Sequence, residues 1–299
     1  MARKKLLIIV GGGIYGCIPA HFLGSLPEGL DDLNKVDCLA GCSIGGILAT
    51  AYAAGHPFRY MDGFFRKHAK DCFVKRFCAK INPLACPTYD NRELDKVFKP
   101  IYGGTTMEDT RRRFPKLDLF IPTLNLTDDK YKVFDNISKE DRTVFLKDIA
   151  GMTSAAPSYF GGREFNGKCF IDGGLIEVAP LITAATALKS KRNIPFKDMD
   201  VLMIGTGKDV DDKPITFEDY EDMGLFGLAL KVIVPYATLA NELATEYWGR
   251  NMGFHSFEYY NPCQHNGKLD DVSQIPDMVK QCDKHRTEFI DKYEAWLNG

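Results

Sequence analysis

Short apolar runs along the chain are separated by glycines and polar residues. Residues 6–10 are predicted to form a buried strand, because five apolar residues precede three glycines. A helical pattern over 14–26 follows, then a short strand over 36–40 and an Ala-rich helix over 46–54 that ends at Gly55. Because strands and helices alternate, the pattern predicts an α/β fold with a largely parallel sheet.

The same reasoning extends over the rest of the chain. Further strands are predicted at 117–122, 130–134, 168–171, 201–204 and 257–260, and helices near 91–99, 143–154, 179–190, 224–245 and 275–297. Residues 57–90 contain three prolines and are predicted to form an irregular excursion over the active face, and 207–222 to form an acidic loop. Without repeats or a linker, we expect one domain over 1–299, with a motif-bearing core at about 6–207.

Composition places the chain among ordinary globular proteins. Of its 299 residues, 45% are hydrophobic and 26% are charged, and the net charge is −2. So small a net charge gives no field that would recruit nucleic acid, and nucleic acid is not expected as a partner. Since no uncharged apolar stretch reaches about 18 residues, no transmembrane helix is expected.

Nine cysteines are scattered through the chain without a CxxC pair, so a structural zinc site is not expected. Several lie in apolar runs, as buried free thiols do, which predicts a reducing, cytoplasmic location. One stretch, 59–80, interleaves seven basic residues with phenylalanines. Its simpler interpretation is a solvated helix with a packed aromatic face, and its alternative is a surface that docks on anionic lipid at the membrane.

The first chemical motif is Gly41-Cys42-Ser43-Ile44-Gly45, a G-x-S-x-G between a predicted strand and a predicted helix. A nucleophilic serine needs such a sharp turn, because the turn exposes its hydroxyl and the glycines leave room around it. The helix that starts there directs backbone N–H groups toward developing negative charge. A tight turn with a capping serine is the non-catalytic alternative.

The second motif is Gly11-Gly12-Gly13-Ile14-Tyr15-Gly16, directly after the first strand. Its glycines bring backbone N–H groups close to an anion, so the motif predicts an oxyanion hole. It also satisfies G-x-G-x-x-G, but a dinucleotide site needs a carboxylate at the end of the second strand, and none stands there. A dinucleotide-binding oxidoreductase therefore stays the weaker alternative.

The third motif, Ile171-Asp172-Gly173-Gly174, is by itself only a turn signal. Beside a serine nucleophile, however, an aspartate on a glycine-flanked turn could accept the hydroxyl proton, and an apolar site would raise its basicity.

Together with SAAPSYF over 154–160 and LMIGTG over 202–207, these motifs resemble the patatin-like phospholipase family in type and order. The resemblance implies a three-layer α/β/α fold with a central, mostly parallel sheet and a serine nucleophile elbow. It makes Ser43 the nucleophile and Asp172 the general base of a dyad, with Gly11, Gly12 and Gly13 as the oxyanion hole. It implies an acyl hydrolase of phospholipids or other lipid esters that contacts the membrane surface transiently and needs no metal or cofactor.

Two positions depart from the family pattern. Tyr15 stands where the family usually has Arg or Lys, and Glu177-Val178-Ala179 precede Pro180 where small residues and asparagines are usual. These departures leave open a non-catalytic lipid- or nucleotide-sensing protein with the same fold. His255, His265 or His285 could complete a Ser-His-Asp triad in α/β-hydrolase order, although Ser43 follows only two strands. Ser154 and Ser158 are expected to line the pocket wall.

Overall fold

Eight strands form the main sheet of the computed structural model, which describes residues 3–81, 86–210 and 234–299. These strands are β1 (Lys4–Ile9), β2 (Cys38–Gly41), β3 (Asp118–Asn125), β4 (Lys130–Asp135), β5 (Arg163–Phe165), β6 (Lys168–Asp172), β7 (Met199–Ile204) and β9 (Ser256–Tyr260). Two short strands, β8 (Lys208–Asp209) and β10 (Gln264–His265), pair separately. The helices are α1 (Cys17–Gly24), α2 (Ile44–Ala53), α3 (Phe58–Cys72), α4 (Phe77–Ile81), α5 (Asn91–Tyr102), α6 (Met107–Arg113), α7 (Leu146–Thr153), α8 (Leu181–Arg192), α9 (Val234–Asn251) and α10 (Ile275–Asn298).

The strand order is β5-β6-β3-β2-β1-β7-β9, with β4 paired to β3. The five strands from β3 to β9 run parallel, whereas β4, β5 and β6 are joined by antiparallel pairing. Parallel strands joined by helices are the arrangement expected from the alternating sequence pattern. The prediction of a mostly parallel central sheet is therefore confirmed.

Side-chain alternation along β1 divides the core between the two faces of the sheet. Leu7 and Ile9 pack into the core cluster that contains residues of α1, α2 and α10. Leu6 and Ile8 point the other way, into a cluster with residues of α8. Because successive strand residues face opposite sides, one apolar run serves both clusters, and helices cover both faces of the sheet. The predicted three-layer α/β/α arrangement follows from this.

The segment 57–90 is more regular than predicted, because α3 is a helix of 15 residues. Phe58, Met61, Phe65 and Ala69 are buried at a spacing of three and four residues, which is the spacing of one helix face. The prolines that indicated irregular structure lie outside α3. Arg59, Arg66, Lys67 and Lys70 are exposed on the opposite face of α3, as the simpler interpretation expects, whereas Phe77 beyond the helix is 78% exposed.

Several boundaries also differ from the predictions. The helix predicted at 14–26 begins as a 3-10 turn over Gly13–Gly16 and becomes α-helical at Cys17. The helix predicted at 224–245 is described from Val234 onward, and its first part lies outside the described residues. Of the predicted acidic loop, 208–209 is strand β8 and 211–222 lies outside the described residues. The short elements α6 and β5 were not predicted.

The structure corrects the expectation that the cysteines are free thiols in a reducing environment. Cys78 and Cys86 form a disulfide, so the nine cysteines are not all free thiols. Four of the other seven are buried in the core clusters, in keeping with the apolar runs that contain them. Within the three described ranges, no helix is both long enough and apolar enough to cross a bilayer.

Candidate active site

Ser43 lies at the sharp turn between β2 and α2. Strand β2 ends at Gly41 and helix α2 begins at Ile44. Ser43 itself has φ +56° and ψ −126°, a backbone conformation that residues other than glycine rarely adopt. Such strain persists only where the surrounding structure enforces it, and it concentrates at functional sites. The turn therefore has the backbone geometry of a nucleophile elbow.

Two glycines make this turn possible. A Cβ atom on Gly41 would lie 2.2 Å from the carbonyl oxygen of Gly45, and one on Gly45 would lie 2.2 Å from the carbonyl oxygen of Ile9. The elbow is therefore packed against both its own helix and strand β1, with no space for side chains at either position. The G-x-S-x-G pattern reflects these two steric requirements.

Thr153, the last residue of α7, holds the elbow in place through two hydrogen bonds of its hydroxyl group. Its hydroxyl accepts a hydrogen bond from the Ser43 backbone N–H at 3.1 Å and donates to the Pro122 carbonyl oxygen at 2.8 Å. Sequence reasoning missed this residue, since nothing in its surroundings distinguishes it from the adjacent Ser154. Ser154, the residue after α7, instead donates to the carbonyl oxygen of Ala150 in that helix, and Ser158 lies exposed in the loop that follows.

Asp172 ends strand β6 and reaches the elbow from the neighbouring part of the sheet. Its position opposite Thr123 in β3 places it level with the end of β2. The side chain is only 5% exposed, and burial raises the pKa of its carboxyl to about 6. Hydrogen bonding from Ser43, from the Gly174 N–H at 2.8 Å and from the Cys42 thiol at 3.5 Å opposes that rise.

The glycine-rich loop leaves the same edge of the sheet as the elbow, because Ile9 of β1 stands in register with Gly41 of β2. A Cβ atom on Gly11 would lie 3.2 Å from the Cβ atom of Ser43, so the loop touches the serine directly. The Gly11 N–H donates to the Val178 carbonyl oxygen at 2.9 Å. The N–H groups of Gly12 and Gly13, in contrast, have no hydrogen-bond partner among the described residues.

The two departures from the family pattern both have packing explanations. Tyr15 is buried and stacks on His265 with 3.6 Å between ring centroids, and burial raises the pKa of its hydroxyl to about 12. Glu177 is buried as well, and its carboxylate accepts hydrogen bonds from the Tyr131 hydroxyl at 2.7 Å and the Thr183 N–H at 3.1 Å. Neither side chain takes a hydrogen bond from Ser43 or Asp172.

The histidines that could have completed a triad are engaged elsewhere. His255 pairs with Asp200 at 2.7 Å, His285 lies 3.5 Å from Glu288, and His265 stacks on Tyr15. Within the described part of the chain, none of them contacts Ser43. The arrangement therefore brings together a serine and an aspartate, and it does not support the Ser-His-Asp alternative.

Comparison with known sequences shows to which protein family the chain belongs. The sequence model of the patatin-like phospholipase family matches residues 7–185, so the chain belongs to this family. A cGAMP-activated phospholipase of Escherichia coli is 29% identical over 280 residues, which cover 85% of this chain and 77% of that protein. Patatin-like protein 1 of Oryza sativa subsp. indica is also 29% identical, over 70% of this chain and 60% of its own length. Membership of this family makes the chain a lipid hydrolase.

A solved structure supports the fold independently. The crystal structure of VipD from Legionella pneumophila has a TM-score of 0.52 and 11% sequence identity to this chain. The alignment covers 98% of this chain and 67% of VipD. This chain and VipD therefore share a fold.

Proposed function

We propose that the chain hydrolyses acyl esters of phospholipids through a Ser43–Asp172 dyad and an acyl-enzyme intermediate. The observation that carries this proposal is the contact between a serine on a strained turn and a buried aspartate whose pKa is raised to about 6. A carboxyl of that pKa is ionised at neutral pH yet basic enough to accept a hydroxyl proton. The family membership supports the same assignment.

The first half of the reaction acylates the serine. Asp172 accepts the hydroxyl proton as the Ser43 oxygen bonds to the ester carbonyl carbon. The oxyanion that forms is held by the free N–H groups of Gly12 and Gly13, each contributing about 3 kcal/mol. We leave Gly11 out of the oxyanion hole, because its N–H is already bonded to Val178. The intermediate collapses as its carbon–oxygen bond to the alcohol breaks, and the alcohol leaves with the proton from Asp172.

The second half releases the fatty acid. Asp172 takes a proton from water, whose oxygen attacks the acyl carbon, and the same N–H groups hold the second oxyanion. When this intermediate collapses, the Ser43 oxygen leaves and regains its proton from Asp172. The site is then restored, and the sum is one ester bond hydrolysed by one water.

Exposed apolar side chains beside the dyad fit a substrate that lies in a membrane. Leu175 and Ile176 follow the Asp172 turn directly and are 39% and 48% exposed. We propose that they touch the lipid surface transiently, as a peripheral enzyme requires. Ser43→Ala protein should therefore sediment with phosphatidylcholine vesicles more than its Ile176→Ser derivative does; equal sedimentation would contradict this contact.

Hydrolysis by purified variants tests the dyad. With a chromogenic fatty-acyl ester, Ser43→Ala and Asp172→Asn should each lower kcat at least about a thousandfold. Ser190→Ala, which changes an exposed serine on α8, should keep the wild-type rate. Full activity in either dyad variant would contradict the mechanism, and a wild-type protein that binds vesicles without cleaving any ester would favour the lipid sensor.

Regulation by a nucleotide is a second proposal, and it rests on relatives. Three proteins similar to this chain, from Escherichia coli, Vibrio cholerae and Pseudomonas aeruginosa, are named cGAMP-activated phospholipases. We propose that cGAMP also activates this chain. Phospholipid hydrolysis should then rise when cGAMP is added, and the same rate at every cGAMP concentration would contradict the proposal.

A further inference from the structure

A cavity of about 450 Å³ opens between the end of α3 and the segment 268–272. Its volume lies in the range of small-molecule sites. The residues of its wall that matter here are three lysines, two aromatic residues and one carboxylate: Lys70, Lys75, Lys268, Phe73, Tyr89 and Asp270. No residue of the dyad or of the oxyanion loop lines it, so the mechanism above leaves it unused.

The charge of this wall favours an anion. Three lysines against one aspartate give the lining a net charge of +2. Within the described ranges, no ion pair or side-chain hydrogen bond engages the ammonium groups of Lys70, Lys75 and Lys268. Asp270, in contrast, accepts a hydrogen bond from the Tyr89 hydroxyl, so its carboxylate is already engaged. The cavity therefore offers three free cations to one anion.

One side of the cavity is attached to the oxyanion loop. Leu269 lies between the two lining residues Lys268 and Asp270, and its carbonyl oxygen accepts a hydrogen bond from the Ile14 N–H at 2.8 Å. A Cβ atom on Gly13 would lie 2.4 Å from that same carbonyl oxygen. Consecutive residues of the segment 268–270 thus line the cavity and contact the oxyanion loop.

The other side of the cavity is hydrogen-bonded to the loop after α7, which in turn contacts Asp172. The Tyr89 N–H donates to the Tyr159 carbonyl oxygen at 2.7 Å, which ties the cavity wall to the loop after α7. In the same loop, the Ala155 carbonyl oxygen accepts a hydrogen bond from the Asp172 N–H at 3.1 Å. The cavity wall is therefore connected by backbone hydrogen bonds to the oxyanion loop on one side and, through the loop after α7, to Asp172 on the other.

We propose that this cavity binds a phosphate group, carried either by the lipid substrate or by a soluble ligand. The inference rests on the proposed function, because a phospholipid carries its phosphate on the same glycerol as the ester that is cleaved. Lysine binds phosphate as a point charge with three donors. The rings of Phe73 and Tyr89, 5.2 Å apart, add an apolar wall for the group to which the phosphate is attached.

Binding is tested without turnover on Ser43→Ala protein. Inorganic phosphate is titrated at constant ionic strength while the melting temperature is followed, and a saturable rise is expected. Adding Lys75→Gln and Lys268→Gln should weaken the apparent affinity about tenfold. Lys67→Gln, which changes an exposed lysine on the same helix as Lys70, should leave it unchanged. Equal phosphate affinity in the doubly changed protein would overturn the proposal.

Hydrolysis then distinguishes the two sources of phosphate. The probes are monomeric dihexanoyl phosphatidylcholine and dihexanoylglycerol, which share their acyl esters but not the phosphate. If Lys75→Gln with Lys268→Gln lowers kcat/KM for the phospholipid about tenfold relative to the diglyceride, the lipid supplies the phosphate. An unchanged ratio with weakened phosphate binding assigns the cavity to a soluble ligand. Should the wild type cleave neither ester yet bind phosphate, the proposed function fails and the phosphate site stands.

Discussion

Replacing the base Asp172 with asparagine should stabilise the fold at pH 8 even as it removes activity. Burial raises the pKa of this carboxyl from its ordinary value of 3.8 to about 6, so the folded protein holds the proton more tightly than the unfolded chain. Stability contributed by that proton is fully present below pH 4 and is lost as the pH rises through 6. At pH 8, the wild type therefore carries a buried negative charge that Asp172→Asn lacks.

The size of this effect follows from the two pKa values. A difference of about two in pKa corresponds to about 3 kcal/mol of unfolding free energy at pH 8, and to only a few tenths of that at pH 4. The asparagine oxygen retains an acceptor for the Gly174 N–H, which Asp172 binds at 2.8 Å. We expect the stability advantage of Asp172→Asn over the wild type to grow by about 2–3 kcal/mol between pH 4 and pH 8.

Urea unfolding of wild type and Asp172→Asn at pH 4, 6 and 8 measures this difference. Asp291→Asn, which changes an exposed aspartate of α10, controls for the removal of one negative charge from the chain. If the free-energy difference between Asp172→Asn and the wild type is the same at all three pH values, the raised pKa is refuted, and with it the argument for Asp172 as a tuned base.

Three further outcomes follow from the site. Because only ionised Asp172 accepts the proton, kcat/KM for a neutral ester should fall about tenfold from pH 7 to pH 5, with half of the plateau near pH 6, and a flat profile would contradict this. Thr153→Val removes the hydroxyl bonded to the Ser43 N–H and should lower kcat about tenfold, whereas Thr186→Val on the surface of α8 should not; comparing kcat of the two variants checks this. When unfolded, unreduced protein is alkylated, mass spectrometry should find seven modified thiols, because Cys78 and Cys86 form a disulfide. Nine modified thiols would show that this disulfide is absent and that all the cysteines are reduced.

Sequence reasoning succeeded where the requirement is local. Gly41 is required by the turn itself, because a Cβ atom there would lie 2.2 Å from the carbonyl oxygen of Gly45, so the G-x-S-x-G motif identifies the elbow. Apolar runs of strand length likewise located β1 and β2, because buried parallel strands are apolar on both faces. Helix α3 was absent from the predicted helices because the prolines of 57–90 outweighed the helical spacing of its buried residues, although the basic stretch 59–80 was interpreted as a helix.

Other features depend on contacts between distant parts of the chain. Thr153 acquires its role only because α7 ends beneath the elbow, 110 positions along the chain from Ser43. The Gly11 N–H donates a hydrogen bond to the Val178 carbonyl oxygen, a contact that no local pattern indicates. The proposed oxyanion hole therefore consists of Gly12 and Gly13 without Gly11. The lysine-lined cavity joins α3 to residues near 270, and such a juxtaposition becomes visible only in the folded structure.

The central claim is that Ser43 is the nucleophile and that Asp172 activates it. Its most direct test is mass spectrometry of the purified protein after reaction with a fluorophosphonate, with the rate of labelling followed in wild type and Asp172→Asn. We predict one adduct, on the peptide that contains Ser43, and at least a hundredfold slower labelling of Asp172→Asn, on the order of the contribution of a general base. An adduct on another residue, or equal labelling rates in the two proteins, would contradict the account.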